Sequence, residues 1–145
     1  MRQNDFLIEL DKIIDDAQAG LMASVDGAGA PHMRWMTPGL LQDRPGAIYA
    51  VTSKSFAKRE QLSANSKVQW MFQSRSLNKI IYVNGAVNLV DNSALLTEVL
   101  EILGPRLQTF WKVNPDQCDL IVLETVMESG QVFLPLQGLK EKLQF

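Results

Sequence analysis

The chain has 145 residues, 46% hydrophobic and 21% charged, a composition that excludes disordered and fibrous classes and suits a single domain spanning 1–145, able to bury a core without metals or disulfides. A formal net charge of -2 provides no field to hold a polyanion, and the one local basic stripe, Lys54 to Arg59, is short, so nucleic acid is not an expected partner. The single cysteine, Cys118, cannot form an internal bridge, and no apolar run approaches the roughly 20 residues of a membrane span, which makes the cytoplasm the expected location and excludes a membrane partner.

Phe6, Leu10, Ile13, Ile14 and Ala17 recur at helical spacing while Glu9, Asp11, Asp15 and Asp16 take the other side, which predicts an amphipathic helix capped by Asn4 and stopped by Gly20. Being acidic and amphipathic, this N-terminus does not read as a charged-then-apolar leader. LMASV and PHMRWMT flank DGAGA and predict a hairpin. The GAG within it is not a dinucleotide loop, because Pro31 and a strand follow where a helix would have to receive a pyrophosphate.

Three further strands are predicted by AIYAVTS, VQWMFQS and KIIYVNGAVNLV. Alternation puts Val68, Trp70 and Phe72 on the core face of the second, with Gln69, Met71 and Gln73 opposite. In the third, Ile81, Val83, Val87 and Leu89 share a face that Gly85 interrupts, a cue for a bulge or tight bend. After Asp91, Leu95, Leu96, Val99, Leu100 and Leu103 mark a helix that Ser93 can cap and Gly104 with Pro105 can end. RLQTFWKVNPD reads as a short helical or looped segment, and CDLIVLETV and QVFLP as strands joined by a turn at ESG. The expected fold is mainly β with helical additions, a Greek-key-like barrel.

One group of residues has a chemistry that a solvated surface does not require. Arg34 offers a planar fork for two phosphate oxygens, Lys58 a mobile point charge, and Thr52 and Ser53 neutral donors. Ser53 or Ser55 could cap a helix beginning near Phe56 and present its free N–H groups to the same anion. A phosphate monoester carries about -1.5 to -2 charges at pH 7, and hydrogen bonds to charged groups contribute roughly 1.5–3 kcal/mol each. The grip could thus supply on the order of 5 kcal/mol, against about 8 kcal/mol for micromolar binding. The remainder would have to come from burying a ring system against apolar walls, for which Met36, Met71 and Trp111 are candidates.

Blander readings stand beside these. Arg34 could pair with a surface carboxylate, Lys54, Lys58 and Arg59 are by default a solvated helix face, and Trp111 could plug the end of the barrel. Trp70 and Phe72 read as core, and Met33 and Trp35 as packing. His32, the one histidine, removes a triad or multi-histidine metal site from the chain and reads either as a solvated residue near the turn or as a contact to cofactor or substrate. Cys118 reads as a buried small hydrophobe.

Taken in order, the leading helix, GLMASVDGAGAPHMRWM, AVTSKSFAKREQLSANSKVQWMFQ, VNGAVNLVDN and FWKVNPDQCDLIVLE resemble the FMN-binding split barrels related to pyridoxamine 5'-phosphate oxidase, and among them the general-stress-protein-like branch. The resemblance runs from about Leu7 to Leu134. It implies an FMN-binding split β-barrel, a homodimer with the cofactor in a groove between subunits, and oxidoreductase activity on a small molecule. By that comparison Arg34 and Lys58 would hold the phosphate with Thr52 and Ser53. Trp35, Met36 and Thr37 would line the flavin ring largely through backbone, Gln73 would reach it from a neighbouring strand, and Trp111 would be a candidate contact from the other subunit. Two departures narrow what is implied. The pyridoxamine phosphate oxidases use arginine and histidine near their C-terminus for the substrate phosphate, whereas this chain has no arginine after Arg106 and ends GLKEKLQF. The stress-protein branch tends to have proline where this chain has Trp35. Relatives with this barrel can hold a deazaflavin or haem instead, and a module that carries flavin without turnover, or carries nothing, is the alternative of a different class.

Overall fold

The computed structural model describes residues 1–55, 65–104 and 119–145. Helix α1 (Gln3–Ala17) buries the predicted stripe Phe6, Leu10, Ile13 and Ile14. Its start and stop differ from the expected ones. Arg2 occupies the N-cap without a side-chain bond, leaving Asn4 inside the first turn, and Gln18 ends the helix in the left-handed region (φ 67°), donating its N–H to the Ile14 carbonyl. Gly20 instead opens strand β1 (Gly20–Val25). A Cβ there would lie 2.6 Å from the Phe72 ring, so this glycine serves a close approach within the core.

Strand β2 (Pro31–Met36) pairs antiparallel with β1 in the predicted hairpin. Asp26 organises the turn, its Oδ1 accepting from the Ala28 and Ala30 N–H groups at 2.9 and 3.0 Å. Strands β3 (Ala47–Ser53), β4 (Lys67–Gln73), β5 (Ile80–Val90), β6 (Leu120–Leu134) and β7 (Leu139–Gln144) complete one antiparallel sheet. Its order is β2-β1-β4-β5-β6-β3, with β7 also paired to β6. β3 therefore leaves the hairpin that precedes it and joins the far edge, the long return of a Greek key. The sheet curls into a split barrel rather than a closed one.

Two cores result. α1 packs on β4 and β7 over the first, which contains Met22, Trp70, Phe72 and Val83. Trp70 stacks on Phe72 with ring centroids 5.5 Å apart and donates Nε1–H to the buried Thr125 Oγ1 at 3.0 Å. Helix α2 (Ser93–Leu103) lies on β3 and β6, and its Leu95, Val99 and Leu103 meet Tyr49, Val51 and Val122 in the second core. Asn92, one residue before the predicted Ser93, caps α2 by accepting from the Leu95 N–H at 3.0 Å.

The bulge cued by Gly85 is present, with the extra residue on the partner strand. Asn84 lies opposite Ser129 and Gly85 opposite Met127, so Glu128 is the inserted residue. A Cβ on Gly85 would stand 2.4 Å from the Val126 carbonyl oxygen, which only a glycine avoids. The turn predicted at ESG does not occur. β6 runs through Ser129 and Gly130 as one 15-residue strand, because Gly130 makes room for Phe6, whose ring would lie 2.3 Å from a Cβ there. The chain reverses later, with Gly138 at φ 65°, and returns as β7, a strand whose LKEKLQ sequence buries Leu143 alone.

On the α2 side of the sheet, the Tyr49 hydroxyl donates to Glu124 Oε2 at 2.8 Å. Burial, with Glu124 adding to it, pushes this phenol from 10.0 up to about 12. Because the folded value is the higher one, the contribution to stability is intact below the ordinary phenol pKa and is lost as pH rises from 10.0 toward 12. An alkaline absorbance titration is expected to show one of the chain's two tyrosines ionising about two pH units late, and Tyr49→Phe to remove that late phase. A Tyr49→Phe titration that kept it would refute the assignment.

Candidate functional site

β2 and β3 stand at opposite ends of the sheet order, yet the curl brings their flanks together at one isolated bridge between Gly39 and Tyr49. Both backbone bonds of that bridge measure 2.8 Å. Because the bridge is antiparallel, residues before Gly39 run beside residues after Tyr49. Arg34 to Thr37 and Thr52 to Ser53 thus flank the same opening. Among the described residues β2 forms a ladder with β1 alone and β3 with β6 alone, so two backbone edges face that opening without a strand between them.

Side-chain alternation sorts the candidate residues. Arg34 and Met36 share the inner face of the hairpin with Met22 and Ser24, and Met36 belongs to the first core. The half-buried Arg34 donates Nη2–H to the Ser24 Oγ at 2.9 Å, while Ser24 is only 2% exposed. Thr52, also buried, is on the face of Ile48 and Ala50 and looks into the same core. Half-buried Ser53 is on the other face of β3, with Tyr49 and Val51, so the two neighbouring hydroxyls cannot approach one ligand from the same side. Thr37 follows the strand and is half-buried. Trp35 is 82% exposed on the outer face, where it lies opposite Leu21, itself opposite Met71. Gln73 is exposed on that outer face too. Arg34, Met36 and Thr52 thus lie on the inward faces of their strands, and Trp35 and Gln73 lie outside.

Lys58, Trp111 and Cys118 lie outside the described residues, as does the helix expected from Phe56, although residues 54 and 55 are already helical. The described residues that bound these spans are close together. Ser53 pairs with Leu120, and the Ser55 hydroxyl donates to Asp119 Oδ2 at 3.2 Å. Lys54 is directed elsewhere, with Nζ 3.3 Å from Asp91 Oδ2.

His32 is also on the inner face, at its exposed end, with Nε2 2.8 Å from Asp26 Oδ2. The bond to His32, followed by that from the Ala30 N–H, holds the Asp26 carboxyl below the usual carboxylate range. This pairing ties the one histidine to the hairpin turn. Ser24 was not among the expected site residues, although its signal was present as a lone hydroxyl on the inward register of LMASV. No group of three or more His, Cys, Asp or Glu residues able to hold a metal ion occurs among the described residues, and no helix there is long and apolar enough to cross a membrane.

The Pyridoxamine 5'-phosphate oxidase family profile matches residues 6–124. Among solved structures, the chain is similar to a protein from Clostridium acetobutylicum related to general stress protein 26 of the pyridoxinephosphate oxidase family, with TM-score 0.75 and 19% identity over 100% of this chain and 97% of that one. It is similar to general stress protein 26 from Bacillus anthracis (TM-score 0.70, 16% identity, 97% of this chain and 98% of that one). It is also similar to a heme binding protein from Mycobacterium smegmatis (TM-score 0.69, 16% identity, 91% of this chain and 55% of that one). At these identities the likeness is one of fold. No curated protein matches the sequence.

Proposed function

The chain belongs to the pyridoxamine 5'-phosphate oxidase family, and we propose that it is a cytoplasmic FMN-binding homodimer acting as an oxidoreductase on a small molecule. The observation that carries this reading is a half-buried guanidinium held by the buried Ser24, on the strand whose flank bridges to β3, the strand that bears the buried Thr52. Among the described residues, the buried polar side chains are Ser24, Thr52, Ser74 and Thr125. Thr125 serves Trp70 and Ser74 serves the β4–β5 turn through Asn78, whereas Thr52 flanks the opening and Ser24 holds Arg34 behind it. Ser24 is satisfied by the Arg34 guanidinium, so a positive charge held by a buried hydroxyl stands at this end of the fold, the chemistry that an anionic, hydrogen-bonding ligand fits.

In this reading Arg34, Thr52 and Lys58 hold the FMN phosphate, Ser53 contributing through the strand end. The free edge of β2 at Trp35, Met36 and Thr37 offers backbone N–H and C=O groups to the ring, with Gln73 and the partner's Trp111 closing around it. The flavin, when bound, supplies the electron transfer chemistry, and the chain's own residues bind, orient and exclude water. Pyridoxamine phosphate oxidation is not part of the proposal. Neither nucleic acid nor membrane is proposed as a partner.

The outer face of the hairpin supports the dimer. Met33 is 65%, Trp35 82% and Val25 37% exposed, side by side across β1 and β2 and continuous with Leu21 and Met71. A contiguous apolar face of this kind calls for a covering surface, and a second copy would cover it while adding Trp111 to the site. Trp35→Glu is expected to raise the dimer dissociation constant by at least about tenfold by burying an uncompensated charge. Sedimentation or light scattering reads this, and a variant as dimeric as the wild type would contradict the assignment of this face.

A haem reading has one observation in its favour, the likeness in fold to the mycobacterial heme binding protein. Against it, the one histidine is engaged by Asp26. Titrating the protein with FMN and, in parallel, with haemin separates the two: preferential FMN uptake is expected, and haemin uptake without FMN uptake would reverse the proposal. A deazaflavin is read by the same competition. FMN-loaded protein that no nicotinamide donor reduces and no acceptor reoxidises would identify a non-catalytic carrier.

A further inference from the structure

The buried hydroxyl on β1 has no explanation in packing. Two of its inward neighbours along the sheet are apolar, Met22 on its own strand and Val68 opposite it on β4, the third is His32 opposite it on β2, and Ser24 itself is 2% exposed. An alanine or valine would suit such a position, since a buried hydroxyl must be hydrogen-bonded to avoid a penalty. The partner is Arg34, whose Nη2–H reaches Ser24 Oγ at 2.9 Å. The bond runs diagonally across the hairpin, because Ser24 is in register with His32 and Arg34 with Met22. Along the same diagonal His32 is drawn away by Asp26 at 2.8 Å, which leaves Ser24 to the guanidinium.

We propose that Ser24 is a positioning residue for ligand recognition: it fixes one arm of the Arg34 guanidinium against β1, so that the fork is presented to the phosphate in one orientation before the cofactor arrives. The inference rests on the FMN reading above and adds to it a residue outside the opening. An arginine has several freely rotating bonds, and immobilising it on binding reduces affinity. A buried hydrogen bond that is already made in the free protein removes part of that loss. The effect is confined to the phosphate, because Ser24 lies beneath Arg34 and away from the exposed outer face of β2. It also depends on Arg34, since without the guanidinium the hydroxyl has nothing to orient.

The test measures affinities of the full-length protein for FMN and for riboflavin, which lacks the phosphate, in wild type, Ser24→Ala, Arg34→Ala and the double variant. Ser24→Ala is expected to weaken FMN binding about tenfold with riboflavin binding unchanged, and the double variant to bind FMN no more weakly than Arg34→Ala alone, the non-additivity of residues acting through one another. A purely structural role for Ser24 would instead lower FMN and riboflavin affinity alike and add to the Arg34 effect. Either that outcome or unchanged FMN affinity in Ser24→Ala overturns the inference. Should riboflavin bind too weakly to measure, the FMN cycle with Arg34 decides alone. A wild-type protein that binds no FMN would overturn the cofactor reading itself, a result distinct from failure of the Ser24 cycle in a protein that does bind it.

Discussion

Trp70→Ala is expected to destabilise the fold by about 3–5 kcal/mol, the range for removing a large aromatic side chain from a packed core. Trp70 is fully buried, stacks on Phe72 at an interplanar angle of 8°, and donates its indole N–H to Thr125. Truncation therefore empties a cavity at the centre of the first core and leaves the Thr125 hydroxyl without its donor, two penalties in one substitution. Against a typical total stability of roughly 5–15 kcal/mol, much of the population would be lost near physiological temperature. Chemical denaturation measures the loss. Trp70→Phe, which keeps ring stacking and drops the indole donor, is expected to recover most of it. A Trp70→Ala variant within about 1 kcal/mol of wild type would show that the curl of the sheet does not depend on this core.

Arg34→Ala is expected to weaken FMN binding by about a hundredfold, the equivalent of roughly 3 kcal/mol for a fork making two charge-assisted bonds. Riboflavin affinity should hardly change. Arg34→Lys should recover only part of the loss, because an ammonium offers a point charge where the guanidinium offers a planar fork. Full FMN retention in Arg34→Ala would remove the assigned phosphate site while leaving the fold assignment intact.

How much of this was legible in the sequence depended on whether a signal was local. Strand β4 was legible from VQWMFQ alone, because strict alternation leaves one set of faces for Val68, Trp70 and Phe72. The DGAGA turn was legible too, since Asp26 and the glycines carry the turn chemistry themselves. Glycines read as stops proved harder. Gly20 and Gly130 are required by rings that arrive from elsewhere, Phe72 and Phe6, and the sequence near a glycine does not say whether it bends the chain or makes room for a neighbour. β7 escaped notice because an edge strand with one face in water, Lys140 to Lys142, has little apolar alternation to show.

The candidate site divides in the same way. Alternation along PHMRWM assigns His32, Arg34 and Met36 to one face of β2, and the structure has them there. Applied to AIYAVTS, the same rule would have separated Thr52 from Ser53, which a shared role at a phosphate had grouped together. The convergence of β2 with β3 could not be read locally, because it depends on a bridge between Gly39 and Tyr49 at the two ends of the sheet order. Ser24 was hidden for the same reason: its significance lies in the diagonal bond to Arg34, made only once the hairpin is in register.

The central claim, that this member of the family carries FMN, is tested most directly by purifying the untreated wild-type protein, recording its absorption spectrum and identifying the molecule released on denaturation. A flavin spectrum with FMN released in stoichiometric amount, or restored to that amount by adding FMN, is the predicted result. A haem or deazaflavin spectrum, or a protein that neither retains FMN nor takes it up, would contradict it.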